Sequence, residues 1–238
     1  MEQITVAPGL SGDFVSSTIA AITSLIRENE LKPGDRLPAE ATLTKDLHVS
    51  RTVVREALRS LAALRLVDLG AGKRPTVAEL DDATMSLMIN HGVVTDQIDI
   101  QQIYDARRTI EARTATLAAL RRSNDEARVI FGHARAMEEK FADPPAVMEH
   151  DIAFHLAVAR ASGNPVFTLI IGAFQGVMRE TWPIGWRSRS GEEDRRAMNR
   201  LHVELAEAIA AGDPRTAADL MARHFDESIK ALLAAGLI

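Results

Sequence analysis

The stretch SRTVVREALRSLAALRL, from Ser50 to Leu66, constrains the chain most. Wound as an α-helix, it places Arg51, Arg55 and Arg59 at i, i+4 and i+8 in one row and Val54, Ala57, Leu58 and Leu61 in another. Like charges four residues apart cost an isolated helix about 0.2–0.5 kcal/mol per pair, and Glu56 lies outside the arginine row. An anion outside the chain would relieve that repulsion. A charged row is also what any solvated helix face looks like, so the flanking residues have to decide.

They predict a winged helix-turn-helix. Residues 15–29 put Ile19, Ile22, Leu25 and Ile26 on one face of a first helix, with Ser16 or Ser17 as N-cap. Lys32-Pro33-Gly34-Asp35 is a turn, and Leu37-Pro38-Ala39-Glu40 opens a second helix with proline in its first turn. His48-Val49 leaves room only for a tight turn in which His48 takes positive φ, and Ser50 then caps the arginine-bearing helix. Two short strand-like runs, Leu66–Leu69 and Thr76–Ala78, flank the glycine-rich basic tip Gly70–Pro75. In such a fold the third helix enters the major groove, and the hairpin tip approaches the backbone or minor groove.

Charge sharpens this expectation. The 238 residues carry a net charge of −5, so a nucleic-acid footprint has to be a local patch such as the arginine row. The chain contains no cysteine, which excludes disulfides, thiolate metal sites and a cysteine nucleophile. No basic, apolar leader follows Glu2, and no apolar run approaches the roughly 18 residues that span a bilayer. A cytoplasmic protein is expected. Aromatic residues make up only 4% of a chain rich in alanine and leucine, so helix should dominate.

The boundary is placed after Glu79, giving a DNA-binding domain over 1–79 and an all-helical domain over 80–238. Helices are expected over about 82–90, 100–122, 125–142, 145–161, 165–180, 192–211 and 214–235. Gly163-Asn164-Pro165 and Gly212-Asp213-Pro214 each supply a stop, a cap and a first-turn proline. Thr181–Gly191, TWPIGWRSRSG, reads as a crossover loop. Asp151 and His155 share a helix face, while His202 and His224 fall at equivalent depths on the last two helices. Three imidazoles with one carboxylate make a divalent-metal set, although satisfied core histidines would show the same spacing.

PGDRLPAEATLTKDLHVSRTVVREALRSLAALRLV resembles the N-terminal signature of the GntR family of bacterial transcription regulators. That resemblance implies base and phosphate contacts from Ser50, Arg51, Thr52 and Arg55 on the recognition helix, and from Gly72 and Lys73 at the wing tip. Family members carry an arginine after LP-x-E where this chain has Ala41, and Arg36 is the expected substitute. The spacing D-x-x-x-H, then H-x-x-x-x-x-A-I-x-x-G-D, then a histidine 22 residues after the last resembles the FadR-type FCD effector domain. It implies that Asp151, His155, His202 and His224 ligate a divalent metal, zinc first, with nickel, manganese or iron also suitable. YDARRTIEARTATLAALRR resembles that family's R-x-x-x-E stretch and implies that Arg107 faces a carboxylate effector, with Arg108 the alternative. His48, His91, His133 and His150 stay unassigned.

The expected function is a homodimeric repressor on a palindromic operator, its affinity set by a small carboxylate at the metal. The family implies effectors from lactate and sugar acids to aromatic acids, amino acids and fatty acyl thioesters. The alternative is a metal-dependent hydrolase with an appended nucleic-acid module. No HExxH-like motif accompanies the ligands, and Glu149 sits at the wrong helical angle from His155, so no enzyme is expected. A purely structural ion is the third possibility.

Overall fold

The computed structural model describes residues 11–189 and 191–237. The N-terminal stretch around Glu2, expected to hold no leader, lies outside them. Among the described residues there are eleven α-helices and one two-stranded sheet, and no helix is long and apolar enough to cross a membrane. The chain divides into two compact units between Thr84 and Met85.

The first unit is a winged helix-turn-helix. It contains α1 (Ser11–Glu28), α2 (Glu40–Asp46), α3 (Arg51–Ala63), β1 (Val67–Asp68) and β2 (Thr76–Val77). The apolar row of α3, Val54, Ala57, Leu58 and Leu61, is buried against Ile22 of α1, Leu37, Leu43 of α2 and Val67 of β1. Each fully buried aliphatic side chain contributes about 1.5–3 kcal/mol, so this row holds the arginine row facing outward. Val54→Asp would unseat it. The turn before α3 is left-handed at His48, φ 53°, and the Ser50 hydroxyl accepts from the Val53 N–H at 3.3 Å as N-cap.

Two element starts differ from expectation. α1 begins at Ser11, so Ser16 and Ser17 lie inside it, because packing of its apolar face outweighs the weak helix preference of serine. α2 begins at Glu40 behind an N-cap at Ala39, which leaves Pro38 outside the helix. The wing pairs Val67 with Val77 and Asp68 with Thr76. Two-residue strands do not stand alone, and the segment after Pro33 props them. Gly34 N–H donates to Val77 O at 2.8 Å, Val77 N–H to Asp35 O at 2.9 Å, and Leu37 N–H to Pro75 O at 2.8 Å.

The second unit is a helical bundle: α4 (Ala83–Val94, across the division), α5 (Ile100–Arg121), α6 (Asn124–Glu139), α7 (Pro144–Ala161), α8 (Pro165–Ala173), α9 (Gln175–Ser188), α10 (Glu192–Ala211) and α11 (Pro214–Ala234). α5 packs on α11 and α7, α6 on α7 and α10, and α10 on α11. Phe154, Phe225, Met137, Met221, Leu205 and Ile209 form the centre of the core. Gly212 stops α10 in the left-handed region at φ 73°, and the Asp213 carboxylate caps α11 by accepting from the N–H groups of Arg215 and Thr216.

The expected loop over 181–191 is mostly helix, and Ser190, in the same stretch, lies outside the described residues. The expected helix from Pro165 breaks at Phe174, and α9 then runs to Ser188 with Pro183 inside it. Pro183 removes one helical hydrogen bond. Burial of Val177, Met178, Thr181 and Trp186 on one face, and stacking of Trp182 on Trp186 with centroids 4.9 Å apart, offset that loss.

Candidate metal centre and nucleic-acid interface

α7 sets Asp151 and His155 one turn apart, α10 presents His202, and α11 presents His224. One ligand atom from each lies within 4.8 Å of the others. The ring centroids are 5.8 Å apart for His155–His202, 4.8 Å for His155–His224 and 4.6 Å for His202–His224. The three imidazoles are buried.

Their tautomers follow from their partners. A carbonyl only accepts, so His202 Nδ1, 2.9 Å from Met198 O, carries a proton. His155 Nδ1 likewise donates to the Glu111 carboxylate. Among the described residues, the remaining nitrogens of these two rings, His155 Nε2 and His202 Nε2, are buried without a hydrogen-bond partner, as is His224 Nδ1. His202 Nε2 is also 3.0 Å from Asp151 Oδ1. Two acceptors at that separation call for a cation between or beside them. A proton would serve that one pair and leave the other two nitrogens bare, whereas a metal ion would serve the whole set, so the donors fit a divalent metal.

The charges agree with that use. Burial alone would raise the Asp151 carboxyl, but the imidazoles around it, His202 first, with His155 and His224 behind it, hold it well below the usual carboxylate range. Burial, together with the neighbouring His202 and His155, pushes His224 well below the ordinary histidine value, so its ring is neutral at pH 7. Glu111 is fully buried on α5. Burial opposes its ionisation, and the charges of Arg107 and His155 overcome that and lower its pKa.

Arg107 Nε donates to Glu111 Oε1 at 2.8 Å, and its guanidinium sits 5.0 Å from the Phe225 ring centroid and against Met178 Sδ. It lines a cavity of about 40 Å³ together with Asp151, His224, Tyr104, Trp186 and Arg189. Arg108 points to the surface, in a two-pronged pair with Asp226 at 2.7 and 3.1 Å. Of the unassigned histidines, His133 and His150 meet through their Nδ1 atoms at 3.2 Å across α6 and α7, while His48 and His91 are exposed. Sequence reasoning left Tyr104, Glu111, Trp186 and Arg189 of the cavity and its supports unassigned. Glu111 was discoverable, since it lies four residues after Arg107 on a helix. Arg189 and Trp186 were hidden by the expectation of a loop.

In the first unit Arg51, Thr52, Arg55 and Arg59 are exposed along α3, with Ser50 exposed at its head. Arg55 Nε donates to Glu40 Oε2 of α2 at 2.8 Å, and this hydrogen bond and charge raise its pKa. Gly72, φ 68°, and Lys73 are exposed at the wing tip. Arg36 pairs through its backbone with Thr76, which places it beside the wing rather than at the head of α2.

Residues 15–77 match the model of the bacterial regulatory proteins of the gntR family, and residues 102–227 match that of the FCD domain. The HTH-type transcriptional regulator LutR of Bacillus subtilis is 30% identical over 204 residues, covering 84% of this chain and 92% of the relative. A fatty acid metabolism regulator protein of Klebsiella pneumoniae is 28% identical over 210 residues, covering 87% of this chain and 85% of that one. Among solved structures, Streptococcus agalactiae GntR superposes with a TM-score of 0.65 at 25% identity, covering 90% of this chain and 97% of that one. With an exposed arginine helix in a winged fold and a helical domain of the FCD type after it in the sequence, the chain belongs to the gntR family of bacterial regulatory proteins, in its FadR-like branch, and is a transcriptional regulator rather than an enzyme.

Proposed function

We propose that this regulator is a cytoplasmic homodimer that represses transcription from a palindromic operator and lets go when a small carboxylate reaches a divalent metal, zinc, in its helical domain. The division of labour follows the expected boundary, with residues 1–79 for DNA and 80–238 for metal, effector and dimer. One observation carries the sensing half: three buried imidazole nitrogens without hydrogen-bond partners lie beside Asp151. Asp151, His155, His202 and His224 would hold the ion, which when bound supplies a Lewis-acidic attachment point for a carboxylate oxygen.

The chain's own groups do the rest. Glu111 orients His155 by accepting its Nδ1 proton and keeps Arg107 in place from the other side. Arg107 presents a planar cation to the cavity, suited to the second oxygen of a carboxylate. On the DNA side, Arg51, Thr52 and Arg55 would read base edges, Ser50 would meet a phosphate, and Gly72 and Lys73, with Arg36 beside them, would follow the backbone at the wing. Arg55 is held ready by Glu40 and has to exchange that carboxylate for DNA.

The test is a gel shift on DNA from upstream of the protein's own gene, with zinc-loaded and chelated protein and a panel of hydroxy, sugar and aliphatic acids. At least one acid should release the zinc-loaded wild type and fail to release His202→Ala, which still binds DNA. Release of both proteins alike would overturn the metal-linked mechanism. The small cavity favours one other reading, an ion that only braces the bundle. That reading expects a melting temperature sensitive to chelation but not to any acid, in wild type and in Arg107→Ala alike.

A further inference from the structure

Two cavities of the C-terminal unit share a wall. The inner one, about 40 Å³ beside Asp151 and His224, has room for an ion and one or two waters. Ligand sites for organic molecules run to roughly 300–1,000 Å³. The second cavity, about 540 Å³, opens between the end of α9, α10 and α11, and Arg189 and Met198 line both.

The larger cavity is lined by apolar side chains, with Met198 and Leu201 of α10 and Ala231 of α11 buried and Ala197 and Ala234 on its exposed side. Its rim carries both signs. Asp194 and Glu227 stand among Arg223 and Lys230, with Lys230 Nζ 3.7 Å from Glu227. An anion is therefore not held at the rim. At the seam the balance changes. The Arg189 guanidinium is half-buried and donates to the neutral carbonyl of Gly185 at 3.0 Å. Just inside lie Arg107, Asp151 and His224. The Arg189 and Arg107 guanidiniums, with the ion that Asp151 and the imidazoles would hold, make an inner end for a carboxylate, and the apolar trough joined to it suits a hydrocarbon body.

We propose that the effector of this regulator is a carboxylic acid with an apolar body of several carbons, its carboxylate at Arg189 and the inner cavity and its body on Met198 and Leu201 in the groove. This rests on the carboxylate-sensing function proposed above and narrows its ligand class. It also gives Arg189 the role of a specificity-determining cation at the point where the two cavities meet.

Both tryptophans of the chain, Trp182 and Trp186, line the inner cavity, so their fluorescence reports its occupation. Full-length zinc-loaded protein is titrated with octanoate and with acetate. Octanoate should bind at least tenfold more tightly than acetate. Ala197→Phe, which fills the exposed side of the groove, should weaken octanoate at least tenfold while acetate stays within twofold, and Arg189→Gln should weaken both. Thermal melts of the variants, and their zinc content, check that each is folded. Equal affinity for the two acids, or octanoate binding unaffected in folded Ala197→Phe, overturns the proposal and leaves the smaller carboxylate site standing. If neither acid binds the zinc-loaded wild type, the proposal is overturned, and the hydroxy and sugar acids of the gel-shift panel decide the parent function separately.

Discussion

Arg55–Glu40 and Arg107–Glu111 are the same ion pair chemically, each with Nε 2.8 Å from a glutamate oxygen. Their surroundings are opposite. The side chains of the first are 60% and 40% exposed, those of the second 6% and 0%. Water solvates both partners of the first pair, so it adds little to folding and parts readily when a phosphate or a base edge offers itself. The second has lost its water, so separating it would leave an uncompensated charge in the core. Glu111 also accepts from His155, so the bundle cannot change that pair without turning a candidate ligand. The winged unit thus keeps its charges for an outside partner, whereas the bundle commits its own to one internal arrangement.

The largest way to break that comparison is Glu111→Ala. It strands Arg107 and frees the His155 ring, and should cost about 3–5 kcal/mol in urea unfolding. A loss under about 0.5 kcal/mol would show that the buried pair is not the strut it looks like. Acidification follows. His224 has a folded-state pKa below its unfolded one, so the unfolded chain takes up a proton first and stability falls as pH drops below about 6.5. Asp151 and Glu111, both depressed, add further loss once pH falls below the ordinary carboxylate range. The melting temperature of metal-free protein should fall steadily from about pH 6.5 to pH 4, and one that stays flat to pH 4 would contradict the buried neutral imidazole.

On the exposed side, Arg55→Ala should weaken operator binding by roughly 10- to 100-fold with no change in melting temperature. Equal affinity would remove Arg55 from the interface, and a large fall in melting temperature would erase the contrast with Arg107. The smallest effect belongs to Arg108→Ala. Its pair with Asp226 is 43% and 56% exposed, and loss of such a pair costs about 0–1 kcal/mol. A larger loss would show that surface pairing in the bundle is not the weak control it is taken for.

Local pattern decided much of this in advance. The alternation of arginine and aliphatic rows from Ser50, the left-handed turn at His48 and the stop-cap-proline runs at Gly163 and Gly212 each depend on neighbours a few residues apart, so they are written in the linear chain. The same periodicity predicted the helices that carry Asp151, His155, His202 and His224. It did not show that the four side chains meet, which only resemblance to a family could imply. Glu111 was visible as an i+4 partner of Arg107, but its second role, accepting from His155 across 44 residues, was not.

The chain by itself therefore determined where helices start and stop, which face of α3 is cationic, and which residue types stand ready to bind metal. Tertiary structure alone decided that Arg107 is inside and Arg108 outside, that TWPIGWRS is helix despite Pro183, and that Arg189 lies on the wall between two cavities. The reason is range. Caps, turns and amphipathic faces are set by interactions within a turn or two, whereas burial depends on what arrives from distant helices, and for adjacent arginines or an interrupted helix that arrival outweighs local preference.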